Sequence, residues 1–199
     1  MPSVEIDGKV MPLLHVSQLR SLLGLPGEGA GDTVRTAWDA VAILDAWLTE
    51  LRALPPEAID APTPSRGRSL RNLTVNVFHP FELLPGAWER GEFPWEPELD
   101  PEREAALPGR EMLVGFAEEA LAGWRLFLAA EGDAIGEADP VVSSPRGEIA
   151  WSALVASQRW HAAFHQRQLE RTLELWGRPR AGTFTVESLA DLDLPTEVF

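Results

Sequence analysis

No cysteine occurs among the 199 residues, which excludes disulfide staples, thiolate zinc sites and a cysteine nucleophile together. Any thiol chemistry must therefore borrow its thiol from another molecule. Lysine is almost as scarce: Lys9 stands alone, arginine supplies the remaining bases, and the formal net charge is −14. A chain this acidic offers no basic patch, so neither nucleic acid nor an anionic membrane is expected as a partner. No apolar run approaches the roughly 18 residues of a membrane span, and no basic-then-apolar leader opens the sequence. A soluble, cytoplasmic protein is the expectation. Tyrosine is missing too, whereas tryptophan occurs eight times, and most of these indoles are expected in the core and in pocket walls.

What is present reads as one domain with appendages. Residues 1–30 form an N-terminal arm and linker, 31–180 the domain, and 181–199 a tail expected to lie across it. The arm alternates from Val4 and carries Asp7-Gly8, which predicts a short hairpin, followed by a helical turn over Val16 to Leu23. His15, in this arm, has no ligand spacing to other residues and is assigned to surface or packing. Within the domain four helical segments are expected. The first runs from a cap at Asp32 to about Leu54, with Val34, Trp38, Val41, Leu44, Leu48 and Leu51 as its core stripe and Pro55-Pro56 as its stop. The second starts near Ser69 and is apolar on two faces, Leu70, Leu73, Val77, Leu84 and Trp88 on one, and Val75, His79 and Leu83 on the other. Pro80 predicts a kink beside His79. Residues 91–108 read as a long loop. The third helix runs from about Arg110 to Glu131, with Met112, Phe116, Ala120, Trp124 and Phe127 inward and Gly132 as its stop. Ser144-Pro145 reads as the opening of a fourth helix reaching about Trp176.

The fourth helix carries the chemistry. His161 and His165 are four residues apart, about 5 to 6 Å on one helical face, close enough for both imidazoles to reach one metal ion. On a helical wheel Leu154, Gln158, His161, His165, Leu169, Thr172 and Trp176 share one stripe, while Glu148, Arg159, Arg167, Glu170, Arg171 and Glu174 fall on the other side. The histidines are therefore expected to face inward, where an unsatisfied polar group costs on the order of 1 to 3 kcal/mol. A metal or a hydrogen-bonded core would each satisfy them.

With His79 on the second helix and His161, His165 and Gln168 on the fourth, the sequence over Gly31 to Trp176 resembles the DinB-like superfamily. Its members include bacillithiol and mycothiol transferases and the mycothiol-dependent maleylpyruvate isomerase. The resemblance implies an all-α four-helix bundle in which His79, His161 and His165 bind a divalent transition metal, zinc first, with nickel and iron as alternatives that imidazole also suits. Three protein ligands leave positions open, which is a catalytic arrangement. The implied function is a metal-dependent transferase that activates a small thiol, mycothiol-like given the arginine-rich composition, for attack on a small electrophile. Gln158 and Gln168 are candidates for hydrogen bonds to ligands or substrate, and Glu82, three residues beyond His79, for a base. Two rival readings use the same residues: a metal-dependent hydrolase or isomerase of a small molecule, and a non-catalytic metal- or ligand-binding bundle acting through a partner or as a homodimer.

Overall fold

The computed structural model describes residues 3–6, 9–12, 30–64, 67–96, 100–189, 192, 194 and 195. They are mostly helical, an all-α chain with two small hairpins. Strands β1 (Ser3–Ile6) and β2 (Lys9–Pro12) pair antiparallel with Ile6 opposite Lys9, the expected hairpin. His15 and the predicted turn over Val16 to Leu23 lie outside the described residues.

Helix α1 (Ala30–Ala53) begins two residues before Asp32, so Asp32 falls inside the first turn and is not the cap. Its inward face is Ala37, Ala40, Leu44, Trp47 and Leu51, and Trp38 of the expected stripe is 44% exposed because Ala37 takes the core position beside it. Pro56 opens a short 3-10 turn, Pro56–Asp60. Helix α2 (Leu70–Arg90) starts as expected: Ser69 is its N-cap, its hydroxyl accepting the Asn72 N–H at 3.0 Å. The helix runs on through Pro80 and Pro85 and stops at Gly91, whose φ of 70° is the left-handed turn that glycine adopts without penalty. On the second expected face Val75 is fully buried and Leu83 partly so, and Phe78 and Phe81, outside both expected stripes, are fully buried as well.

The expected loop over 91–108 contains a further helix, α3 (Asp100–Ala105), packed on α2. Asp100-Pro101 is an opening dipeptide that a proline- and acid-rich context concealed. Helix α4 (Arg110–Glu137) passes through Gly132, because one glycine costs a helix only about 1 kcal/mol and the surrounding sequence keeps its pattern. Met112 is 50% exposed and Leu113 fills the core in its place.

Ser144-Pro145 does not open a helix. Strands β3 (Val141–Ser144) and β4 (Gly147–Ala150) form a hairpin around Pro145 and Arg146, with Ser144 opposite Gly147. The Ser144 hydroxyl closes the turn by accepting the Arg146 N–H and donating to the Gly147 carbonyl, and Gly147 takes a φ of 106°. Helix α5 (Trp151–Leu175) follows, its first turn held from outside by Asp139, which accepts both the N–H and the hydroxyl of Ser152. Trp176 is the residue after the helix.

Helices α1 and α2 each pack against both α4 and α5. Trp88, Phe127 and Trp151 close one end of the core through edge-on ring contacts of 5.1 to 6.4 Å. Indole N–H groups within it are spent on Thr74 Oγ1, from Trp47, and on the Ala37 carbonyl, from Trp124. Residues 178–189 lie against this body, with Val186 buried in it. Among the described residues no helix is long and apolar enough to cross a membrane.

Candidate functional site

Helices α2 and α5 bring Asn76 and His161 together, and α3 adds a carboxylate to them. Asp100 is buried and accepts three hydrogen bonds: from Asn76 Nδ2 at 2.6 Å, from His79 Nδ1 at 3.0 Å and from the Trp95 indole at 3.2 Å. These contacts fix the orientation of each partner. A carboxylate only accepts, so the amide nitrogen of Asn76 must face Asp100 and its oxygen must face His161. His161 Nε2 therefore carries the proton and donates to Asn76 Oδ1 at 3.0 Å. On the next turn His165 Nδ1 donates to Gln168 Oε1 at 2.7 Å.

Each imidazole thus spends one nitrogen on a neighbouring acceptor and keeps the other. His79 Nε2 and His165 Nε2 make no hydrogen bond among the described residues, and His161 Nδ1 is buried with no partner. The His161 and His165 rings stand 4.6 Å apart, nearly perpendicular. These are the atoms that could take a metal. Among the described residues, however, no group of three or more His, Asp or Glu side chains is assembled as a metal cage.

Electrostatics keep the lone pairs available. Burial, above all, holds His161 well below the ordinary imidazole pKa, and the neighbouring His165 and the guanidinium groups of Arg146 and Arg68 act in the same direction. Burial likewise lowers His165 to about 4, against a smaller opposing effect of its hydrogen bond with Gln168; Arg68 lowers it further and Asp100 raises it. Both rings are neutral at pH 7, the state in which imidazole binds metal.

The surroundings are partly aromatic and partly polar. Trp95 lies 5.3 Å from the His161 ring, and Phe164, stacked on Trp160, lies 5.6 Å from His165. On the other side is an open cleft of about 460 Å³, lined by Arg68, Ser69, Asn72, Asn76, Asp100 and Glu104 among others. Glu104 is tied down by Asn72 Nδ2 at 2.9 Å and by the Ser69 hydroxyl at 3.3 Å.

The structure sorts the residues expected at this site. His161 and His165 share a face as their spacing required, and His79 joins them through Asp100 and Asn76. Gln168 touches His165. Gln158 is buried on the same helix with its carbonyl oxygen unpartnered. Glu82 is not brought in: it is at the surface, paired with Arg103. The expected outward face of α5 is also broken twice, since Arg159 is buried against Asp39 at 2.9 Å and Glu170 is buried near Arg180. Asp100, Asn76 and Trp95 were not anticipated. Asn76 could have been found one turn before His79 on the same helix, and Asp100 through its helix-opening proline.

No protein-family model matches this chain, and no curated protein or solved structure matches it either.

Proposed function

We propose that this chain is a DinB-like four-helix bundle whose His79, His161 and His165 hold a divalent transition metal, zinc before nickel or iron, and that it acts as a thiol S-transferase. The single observation that carries the reading is the division of labour within each imidazole. Metal-ligating histidines give one ring N–H to an acceptor and present the other nitrogen to the ion. His79 with Asp100, His161 with Asn76 and His165 with Gln168 all follow that pattern, and the buried, unpartnered His161 Nδ1 is the atom that most needs an ion. The donor set fits a transition metal, although drawing the three lone pairs onto one ion requires side-chain movement from the arrangement described above.

When bound, such a metal supplies Lewis acidity, which lowers the pKa of a thiol or water at its open positions towards 7. The chain's own residues then orient and shelter the reactants. Asp100 retains the His79 Nδ1 proton, Asn76 that of His161 Nε2, and Gln168 that of His165 Nδ1, so each ring keeps its tautomer. Trp95, Phe164 and Trp160 provide an apolar wall for the electrophile, and Gln158 Oε1 is an acceptor for a donor group of either reactant. With no cysteine in the chain, the thiol is a small exogenous one, mycothiol-like, and the reduced cytoplasm is the compartment that supplies it.

One contact favours a second reading. Asp100 grips His79 by Nδ1 and leaves Nε2 to accept a proton, the arrangement of a general base for hydrolysis or isomerisation of a small molecule.

The test begins with metal analysis of protein purified without a histidine tag, beside His161→Ala. A wild type that carries no transition metal and takes up none would remove the metal from the proposal. The loaded protein is then incubated with mycothiol, or with bacillithiol, and monobromobimane. Conjugate formation above the uncatalysed rate supports the transferase, thiol-independent turnover of an ester or enol substrate supports the base, and inertness in both leaves a binding bundle.

A further inference from the structure

Three buried acceptor atoms lack a hydrogen-bond partner among the described residues, and all three are carried by α5: Gln158 Oε1, His161 Nδ1 and Gln166 Oε1. They are not equivalent. Gln166 is anchored through its other end, Nε2 donating at 3.2 Å to Glu170, the residue that pairs with Arg180. Gln158 is only 5% exposed, yet its carboxamide makes no hydrogen bond with any described residue. A buried amide left wholly unspent is uncommon, because the polar groups of an interior are normally satisfied.

Gln158 stands three residues before His161, on the stripe that also carries His165. Side chains three and four apart are neighbours on a helix surface, with Cβ atoms about 5 to 6 Å from one another. Gln158 Oε1 and His161 Nδ1 do not satisfy each other. Asn76 holds the His161 proton on Nε2, so Nδ1 offers a lone pair and no hydrogen, and the amide oxygen likewise only accepts. A cation completes both atoms at once. The spacing suits it, since in helical bundles a Glu-x-x-His pair on one helix supplies an oxygen and a nitrogen to the same metal site. Gln158-x-x-His161 is that pair with an amide oxygen in place of the carboxylate. A counter-charge stands close by: Asp100 is bonded to Asn76, His79 and Trp95, with no arginine or lysine among these partners.

We infer that Gln158 Oε1 is a fourth protein ligand of the metal proposed for His79, His161 and His165. The inference rests on that reading and deepens it. Four protein ligands still leave one position on a five-coordinate zinc and two on an octahedral nickel or iron. An amide oxygen is a far weaker base than an imidazole nitrogen, so Gln158 is the ligand that an entering thiolate replaces. In that exchange the bond between metal and sulfur forms, the bond between metal and amide oxygen breaks, and the thiol proton passes to the medium. The freed oxygen is then the acceptor for a donor group of the bound reactant.

The full chain, purified without a histidine tag and stripped with a chelator, is reloaded with zinc and, separately, with cobalt(II) as a spectroscopic stand-in. Zinc affinity is read by competition with a chromophoric chelator, and the cobalt environment by visible absorption. Gln158→Leu should weaken zinc binding by at least about tenfold, the lower end of what losing even an outer partner costs. Gln158→Glu, which returns an oxygen to the same place, should restore or exceed the wild-type affinity and shift the cobalt bands. Gln166→Leu, which removes the other unpartnered amide oxygen, should leave both readouts unchanged. In the metal-free chain Gln158→Leu should not lower the urea midpoint, because an amide without a partner contributes no hydrogen bond. Wild-type zinc affinity in Gln158→Leu, or a loss that Gln158→Glu fails to rescue, overturns the inference and leaves a site of three histidines. A lowered metal-free midpoint with unchanged zinc affinity overturns it as well, and assigns the amide, turned over, to a hydrogen bond from Nε2 to His161 Nδ1. A wild type that takes up neither zinc nor cobalt removes the three-histidine reading and this inference together, so the two failures are distinguishable.

Discussion

Helix α5 serves two buried polar clusters, and they differ in what is left over. Near its C-terminal end Gln166 donates to Glu170, which pairs with Arg180, so that the Gln166 oxygen alone stays unpartnered there, and beyond them Glu50 of α1, 2% exposed, receives the tail. One Glu50 oxygen accepts the Ala181 N–H at 2.8 Å; the other accepts the Gly182 N–H at 3.2 Å and Arg180 Nε at 3.3 Å. Both carboxylate oxygens are consumed. Earlier on the same helix the histidine cluster is knit just as closely, yet it keeps a lone pair on each of three imidazoles and on the Gln158 oxygen. Burying a charge and satisfying it builds structure; burying donors or acceptors and leaving them unspent is tolerated where a ligand will complete them. Glu50 anchors the tail, and the histidine cluster keeps the atoms to which the proposed ligand would bind.

The comparison is broken most decisively at His161. His161→Ala should reduce transition-metal affinity by more than 100-fold, beyond the 10- to 100-fold typical of losing an outer partner, with only a modest change in folding, read by competition against a chromophoric chelator. Unchanged affinity would mean that the orphaned nitrogen is a packing defect. Glu50→Ala should do the reverse. It leaves two backbone N–H groups without their acceptor and removes one of the two carboxylates paired with Arg180, and the expected loss is about 3 kcal/mol in urea unfolding, with metal affinity intact. A loss under about 1 kcal/mol would show that the tail is merely adjacent.

Much of this contrast was legible in the sequence, and the illegible part has a common cause. Periodicity located α1, α2, α4 and α5, because each buries a stripe that repeats every three or four residues. The inward placement of His161, His165 and Gln158 followed from the same rule. Spacing along one helix says nothing about what another element contributes. Asp100 lies on a six-residue helix too short for a periodic signal, and Glu50 and Arg180 meet across 130 residues. Polar residues buried by such distant partners, Arg159 against Asp39 among them, look like surface charge until the chain is folded. The hairpin at Val141 to Ala150 misled for a different reason: Ser-Pro is a good helix opening locally, but the two valines before it and Gly147 after it favour paired strands and a tight turn.

The clusters also respond to acid with opposite signs. His165 has a folded pKa of about 4 and an ordinary unfolded value near 6.5. Between those values the unfolded chain takes up a proton that the folded chain refuses, so stability falls as the pH is lowered through that window and is fully present above it. From pH 7 to pH 5 the loss in chelator-treated protein should be about 2 kcal/mol, and His165→Gln should abolish that component. Glu170 behaves the other way. Burial raises its pKa, so the folded chain binds the proton more readily and this group favours folding as the pH falls. Urea midpoints of His165→Gln and Glu170→Gln across this range should therefore diverge from wild type in opposite directions; parallel shifts would refute the assignment.

The smallest effect probes how the open cluster is held together. Asp100→Asn keeps shape and volume but turns one acceptor oxygen into a donor. If the remaining oxygen stays with His79, the new N–H group confronts Asn76 Nδ2, and Asn76 must turn its amide. Its nitrogen then meets the Nε2–H of His161, and that ring loses the partner that fixed its tautomer. One substitution on α3 is thereby transmitted to two imidazoles on two other helices. The expected result is about a tenfold fall in metal affinity, the lower end of the range for an outer partner, accompanied by altered ring-proton resonances of both His79 and His161 while His165, held by Gln168, is unmoved. Perturbation of His79 alone would show that Asp100 orients one ring only, and that His161 is held by something other than the amide of Asn76.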